Sequence, residues 1–162
     1  MSIQERQAHE RFLKRLDGSR PAMFRVAEWL HKKGYDVGIP AIRSRKFEDK
    51  IEDFVDSGDV FAKKDNKKYR FEIKHSGYEF TSAEDWKFKT MLVSNKAAVE
   101  RENGKAEAFV IVSKSMTHLA IIWRQTRKHW FPDRKFATNT QKWEDFYSVK
   151  KEYVDFRNMS DD

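Results

Sequence analysis

Apolar residues recur at three- and four-residue steps in two segments near the start of the chain. Ile3, Ala8, Phe12, Leu13 and Leu16 fall among charges over 2–16, which predicts an amphipathic helical arm ending at the turn-like run Asp17-Gly18-Ser19-Arg20-Pro21. A second helix is expected from about residue 21, with Ser19 as cap, Pro21 in the first turn, and Met23, Val26, Ala27 and Leu30 on its inner face. Gly34 suits its C-terminal stop, after Lys32 and Lys33 at the negative end of the helix dipole. Residues 35–42 alternate as a bent or edge strand, and 47–54 hold a short helical candidate.

The pattern then changes from a helical period to a period of two. Asp59 to about Lys63 and Lys67 to His75 read as the arms of a hairpin around Asp65-Asn66, because Tyr69, Phe71 and Ile73 alternate with Arg70, Glu72 and Lys74. A helix is expected over 82–103, capped by Ser82-Ala83-Glu84-Asp85, with Phe88, Met91, Leu92, Asn95, Ala98 and Val99 as its inner stripe. The continuous apolar runs in 107–113 and 119–123 predict strands buried on both faces. Trp143, Phe146, Tyr147, Val149 and Val154 suggest a last helix over 140–157. The order describes a mixed sheet flanked by helices, an α/β fold in one domain.

Composition narrows the partners. The chain has 162 residues, 33 Lys plus Arg against 26 Asp plus Glu, and a formal charge of +7, which favours an anionic partner such as nucleic acid. Aromatic residues make up 14%, enough large apolar groups for a core despite 36% charged residues. There is no Cys, so disulfides, thiolate zinc sites and cysteine nucleophiles are excluded. The polar start and the lack of any long apolar run lead us to expect a cytoplasmic chain with no membrane partner. His9, His31, His118 and His129 show no paired ligand spacing, and no phosphate-binding glycine loop or serine elbow occurs.

Chemistry concentrates in the hairpin. Two carboxylates on adjacent antiparallel strands can reach one ion, and Mg²⁺ is commonly held by one or two carboxylates, water and phosphate oxygen. Asp59 and Glu72 are those acids, and Lys74 lies about 7 Å beyond Glu72 on the same face. An ammonium there can orient water and offset charge developing on a phosphate. The same spacing also describes an ordinary charged hairpin face. His75 points to the other face, and Asp56 is an alternative acid just before the strand.

Basic residues cluster at Arg43, Arg45 and Lys46, at Lys63, Lys64, Lys67 and Lys68, at Lys87 and Lys89 with Lys96, and at Arg127 and Lys128. Such clusters hold phosphates without reading sequence, and Trp130 or Phe131 could stack on a base.

Taken in order, Met23 to Tyr35, Gly58-Asp59-Val60, Phe71-Glu72-Ile73-Lys74 and the strands ending near Trp123 resemble the PD-(D/E)XK nuclease superfamily over about two-thirds of the chain. The resemblance implies a restriction-endonuclease-like core, a mixed sheet of about four to five strands with added terminal helices. It divides the chain into an arm at 1–18, a core at 19–125 and an extension at 126–162. It implies that Asp59 and Glu72 bind Mg²⁺, with Mn²⁺ as a substitute, and that Lys74 assists attack of water on a DNA phosphodiester. A homodimer is among the assemblies it allows. Gly58 replaces the proline of the motif, and Glu28 on the preceding helix is a candidate third ligand, with Glu48 or Glu52 as alternatives. A non-catalytic nucleic-acid-binding protein and a protein-interaction module are the rival readings.

Overall fold

The structure, a computed structural model, describes residues 2–39, 58–100, 106–138 and 140–160. The expected helical turns at 47–54, together with Arg43, Arg45, Lys46, Glu48, Glu52 and Asp56, lie outside the described residues.

One helix replaces the two expected at the N-terminus. Helix α1 runs unbroken over Ile3–Lys32, through Gly18 and Pro21. Ser2 caps it: its Oγ accepts from the Glu5 N–H at 3.1 Å, and the Glu5 carboxylate accepts from the Ser2 N–H at 2.7 Å. Glycine and proline inside a helix cost about 1 and 3 kcal/mol relative to alanine. Burial of Ala22, Met23, Val26, Trp29 and Leu30 against the sheet offsets that cost, so packing overrides the local break signal. Gly34, at φ +93°, takes the left-handed conformation that follows the helix end.

Strand β1 (Asp36–Gly38) falls within the strand expected at 35–42, of which residues 40–42 lie outside the described residues. Strands β2 (Asp59–Lys64) and β3 (Lys67–His75) form the expected hairpin, and Asp65 and Asn66 turn it with φ of 52° and 64°. Both positive values belong to a two-residue turn whose twist matches the strands, and Asp and Asn tolerate them best after glycine.

Beyond β3 the expected long helix is absent. Residues 76–89 are loop and turns, strand β4 covers Thr90–Asn95, and helix α2 covers Lys96–Glu100 among the described residues. Strands β5 (Ala108–Val112) and β6 (His118–Trp123) follow as expected, and every residue of β5 is buried. A 3₁₀ helix over Arg124–His129 leads into β7 (Phe131–Ala137) and β8 (Lys142–Lys150). A single 3₁₀ turn, Lys151–Tyr153, precedes β9 (Asp155–Asn158). The last helix expected over 140–157 is therefore two strands. Tyr147 and Val149 face the core at a period of two, and a segment rich in Trp, Phe, Tyr and Val suits a pleated surface.

The architecture is mixed α/β, mostly strands. Six strands form one mixed sheet in the order β1-β2-β3-β5-β6-β9, in which only β3 and β5 run parallel. Strands β4, β8 and β7 form a three-stranded antiparallel sheet. Helix α1 covers one face of the large sheet, packing on Val60, Ala62, Phe71, Ile73, Val110 and Ile121. The small sheet covers the other face, where Met91, Val93, Tyr147 and Val149 meet Phe109, Ile111, Ala120 and Ile122. No helix among the described residues is long and apolar enough to cross a membrane.

The loop at 76–89 is held in place by Asp85. Its carboxylate accepts from the Thr81 N–H at 2.9 and 3.0 Å, the Thr81 hydroxyl at 2.7 Å and the Ser82 N–H at 2.9 Å. Those bonds favour the charged form and lower the Asp85 pKa from 3.8 to about 2. Because the folded value lies below the unfolded one, the contribution is complete above about pH 4 and is lost as pH falls through about 2. NMR titration of the Asp85 carboxyl should give a midpoint near 2, with Thr81 and Ser82 amide exchange quickening over the same window. A midpoint near 4 would show that the loop is not pinned in this way.

Candidate active site

Residues 71 and 73 of β3 face α1, so Arg70, Glu72 and Lys74 face the small sheet. On β2, Val60 and Ala62 face the helix and Asp59 faces the same side as Glu72. Asp59 and Glu72 are direct register partners across the antiparallel pair. The two carboxylates and the ammonium expected from the sequence therefore share one face.

Asp59 is fully buried. The Nε and Nη2 of Arg70 each lie 2.8 Å from its Oδ2, a charge-assisted grip by two nitrogens of the guanidinium. Glu72 is more open, its side chain 22% exposed. Its Oε1 accepts from the Ser94 hydroxyl at 3.4 Å and lies 3.7 Å from Lys74 Nζ. The Lys74 ammonium donates to the Val93 carbonyl at 3.0 Å and lies 6.0 Å from the Phe109 ring centroid. Strand β4 thus supplies a hydroxyl and a carbonyl that orient the Glu-x-Lys pair.

Glu28 does not join this group. It sits on α1, on the opposite face of the sheet, where it is exposed and pairs with Lys32 at 3.0 Å. The Lys32 ammonium holds the Glu28 carboxyl below its usual value. Among the described residues no group of three or more His, Asp or Glu side chains is arranged around a common point. Asp59 and Glu72 are two carboxylates on one face, oxygen donors of the kind Mg²⁺ takes, with Asp59 fully buried and gripped by Arg70 and Glu72 more open.

The basic residues are spread more widely. Lys87 and Lys89 lie on the loop before β4, Lys87 with its ammonium 5.4 and 5.6 Å from the Tyr78 and Phe88 ring centroids. Lys96 opens α2 and lies 5.9 Å from the Tyr147 ring. Arg127 stacks over Tyr147 at 4.2 Å, donates to its hydroxyl at 3.1 Å and approaches Glu100 at 4.0 Å, so its guanidinium is engaged within the fold. Lys128 beside it is exposed. At the hairpin tip, Lys63, Lys64, Lys67 and Lys68 are exposed. His75 is exposed and donates to the Lys114 carbonyl at 3.0 Å. Trp130 is buried, donates to Thr126 Oγ1 at 2.9 Å and packs on Phe109, so it is part of the core rather than a surface stacking residue.

Two parts of the site escaped the sequence reading, Arg70 and Ser94. The first was accessible in principle, since a period-two strand puts residue 70 beside residue 72. Comparison with protein-family models, with characterised proteins and with solved structures finds no match to this chain.

Replacing Arg70 by Met would leave the Asp59 carboxylate buried without its guanidinium. Loss of one partner of a buried pair typically costs about 3–5 kcal/mol, whereas the exposed Glu28–Lys32 pair should change stability by less than about 1 kcal/mol on Lys32→Ala. Urea unfolding of the two variants measures this directly. Equal, small effects would mean that Asp59 is not held as the geometry indicates.

Proposed function

We propose that this chain is a metal-dependent nuclease that hydrolyses DNA phosphodiester bonds, built on the restriction-endonuclease-like core that its sequence resembles. The observation that carries the reading is the register pairing of Asp59 with Glu72, with Lys74 on the same face. The chain order supports it: a helix, a strand with Asp, a tight turn, a strand with Glu-x-Lys, a crossover and two further strands. Here the described part of the crossover is a loop, β4 and α2 in place of one long helix.

Asp59 and Glu72 would hold Mg²⁺ or Mn²⁺, which supplies Lewis-acid activation of water and phosphate at neutral pH. Arg70 fixes the direction of the Asp59 carboxylate, and Ser94 does the same for Glu72. The Lys74 ammonium, held between Glu72 and the Val93 carbonyl, orients the attacking water and stabilises negative charge on the phosphate. Water oxygen forms the new bond to phosphorus, one ester P–O bond breaks with its electrons on the sugar oxygen, and the proton lost by water balances the one that oxygen gains. Lys87, Lys89, Lys96 and Lys128 add positive charge for the DNA backbone.

One observation favours a second reading. The grip of Arg70 on Asp59 also suits a structural ion pair in a nucleic-acid-binding protein without catalysis. A plasmid-nicking assay separates the two. The enzyme should cut with Mg²⁺ or Mn²⁺ and stop with a chelator, and Lys74→Ala should slow cutting by at least about 100-fold while retaining DNA binding. Binding without cleavage of duplex, branched or single-stranded DNA or of RNA would establish the second reading, and a fully active Lys74→Ala would remove Lys74 from the mechanism.

A further inference from the structure

A cleft of about 360 Å³ opens beside the candidate active site, and Lys74 itself lines it. Its wall is aromatic. Tyr78, Trp86 and Phe88 meet edge to face, with centroids 6.0 Å apart for Tyr78 and Trp86, 5.6 Å for Trp86 and Phe88, and 5.4 Å for Tyr78 and Phe88. Trp86 is buried and donates to the Thr90 carbonyl at 2.9 Å, which makes it the fixed base of the group. Tyr78 and Phe88 are 46% and 42% exposed. Two large rings left that open, on a loop of a heavily charged protein, call for an occupant.

The charge around the rings says what kind. Lys74, His75 and Lys135 line the cleft, and none of the described residues lining it is acidic, although Lys135 is 3.6 Å from Asp133. Lys87 adds an ammonium 5.4 and 5.6 Å from the two exposed ring centroids. Aromatic rings beside cations suit a planar apolar group that carries a phosphate, which is an unstacked nucleotide. A base inside a duplex offers only its edges, so its faces cannot meet these rings.

The loop is also preformed. Asp85 ties Thr81 and Ser82, the Ser76 hydroxyl accepts from the Tyr78 N–H at 3.0 Å, and the Tyr78 carbonyl accepts from the Lys114 N–H at 3.0 Å. At its far end the Lys89 carbonyl accepts from the Lys151 N–H at 3.2 Å. Rings held in place before binding lose little conformational freedom on contact.

We propose that this cleft receives an unpaired base of single-stranded DNA, stacked on the face of one exposed ring of the Tyr78–Phe88 pair with the other ring at its edge, and with its flanking phosphates at Lys87 and Lys74. The proposal rests on the nuclease reading for the choice of DNA and for what happens at Lys74, and it assigns that site a substrate class, unpaired nucleotides in a strand.

Binding measured without metal separates the two ideas. Fluorescence anisotropy of the full chain, in buffer with a chelator, would follow a short labelled oligo(dT), a blunt duplex of the same length and the matching RNA, with dTMP as competitor. The single DNA strand should bind more tightly than the duplex. Phe88→Ala and Tyr78→Ala should each weaken it by about tenfold or more, the size of one lost base stack, while leaving duplex binding unchanged. Phe88→Tyr should restore it, and both alanine variants should stay folded, their melting temperatures lowered by only a few degrees through the lost ring packing.

Equal loss on strand and duplex, or no loss, would overturn the proposal. Tighter binding of RNA than of DNA would overturn the DNA assignment, and full competition by dTMP at the affinity of the strand would identify a free-nucleotide site instead. Ring-dependent strand binding with no cleavage in Mg²⁺ would leave the cleft standing and remove the nuclease reading. Metal-dependent cleavage without ring-dependent strand binding would do the reverse.

Discussion

A buried carboxylate constrains this hairpin more than any other group in it. Asp59 is fully buried at the start of β2, and removing such a charge from water is costly unless it is paired. Arg70 meets it with two nitrogens, reaching diagonally across the pair in the register that sets Asp59 opposite Glu72. A one-residue slip would carry Arg70, Glu72 and Lys74 to the helix face and bring Phe71 and Ile73 out of the core. The ion pair and the hydrophobic alternation are both satisfied in this register, and that register gathers the candidate catalytic groups.

The three-layer build decides which face can do chemistry. Helix α1 seals one side of the large sheet with Met23, Val26, Trp29 and Leu30, which makes the centre of that face apolar. The small sheet covers the other side only partly. Met91, Val93 and Val149 close the core around Phe109, while β4 brings the Ser94 hydroxyl and the Val93 carbonyl to Glu72 and Lys74. One short strand thus finishes the core and orients the polar cluster. The same connection carries the aromatic loop, which is why the cleft lies beside Lys74.

The hairpin was legible in the sequence because period-two alternation and a turn of Asp-Asn leave little choice of structure or face. The strands at β5 and β6 were legible as continuous apolar runs, since burial on both faces leaves no polar position. The stretch 82–103 misled for a physical reason: Phe88, Met91, Leu92 and Val99 fall at helical spacing, yet Met91, Leu92 and Val93 are also a short apolar run. Tertiary pairing with β8 settled it as strand. The same ambiguity made β8 and β9 look helical. Reading 82–103 as a helix placed Phe88 inward and hid the exposed ring pair. Glu28 was picked out as the one acid near the right place in the chain, but which side of a sheet a helix packs on is a tertiary fact. Arg70 went unnoticed because a basic residue near an acid is common in a chain this charged.

The central claim is that Asp59 and Glu72 form one divalent-ion site. Paramagnetic relaxation of backbone amides on titration with Mn²⁺ tests it most directly. Broadening should centre on residues 59 and 72, spread to Lys74 and Ser94, be reversed by Mg²⁺, and vanish in Glu72→Gln. Broadening centred elsewhere, or unchanged by that substitution, would contradict a shared metal site on this hairpin.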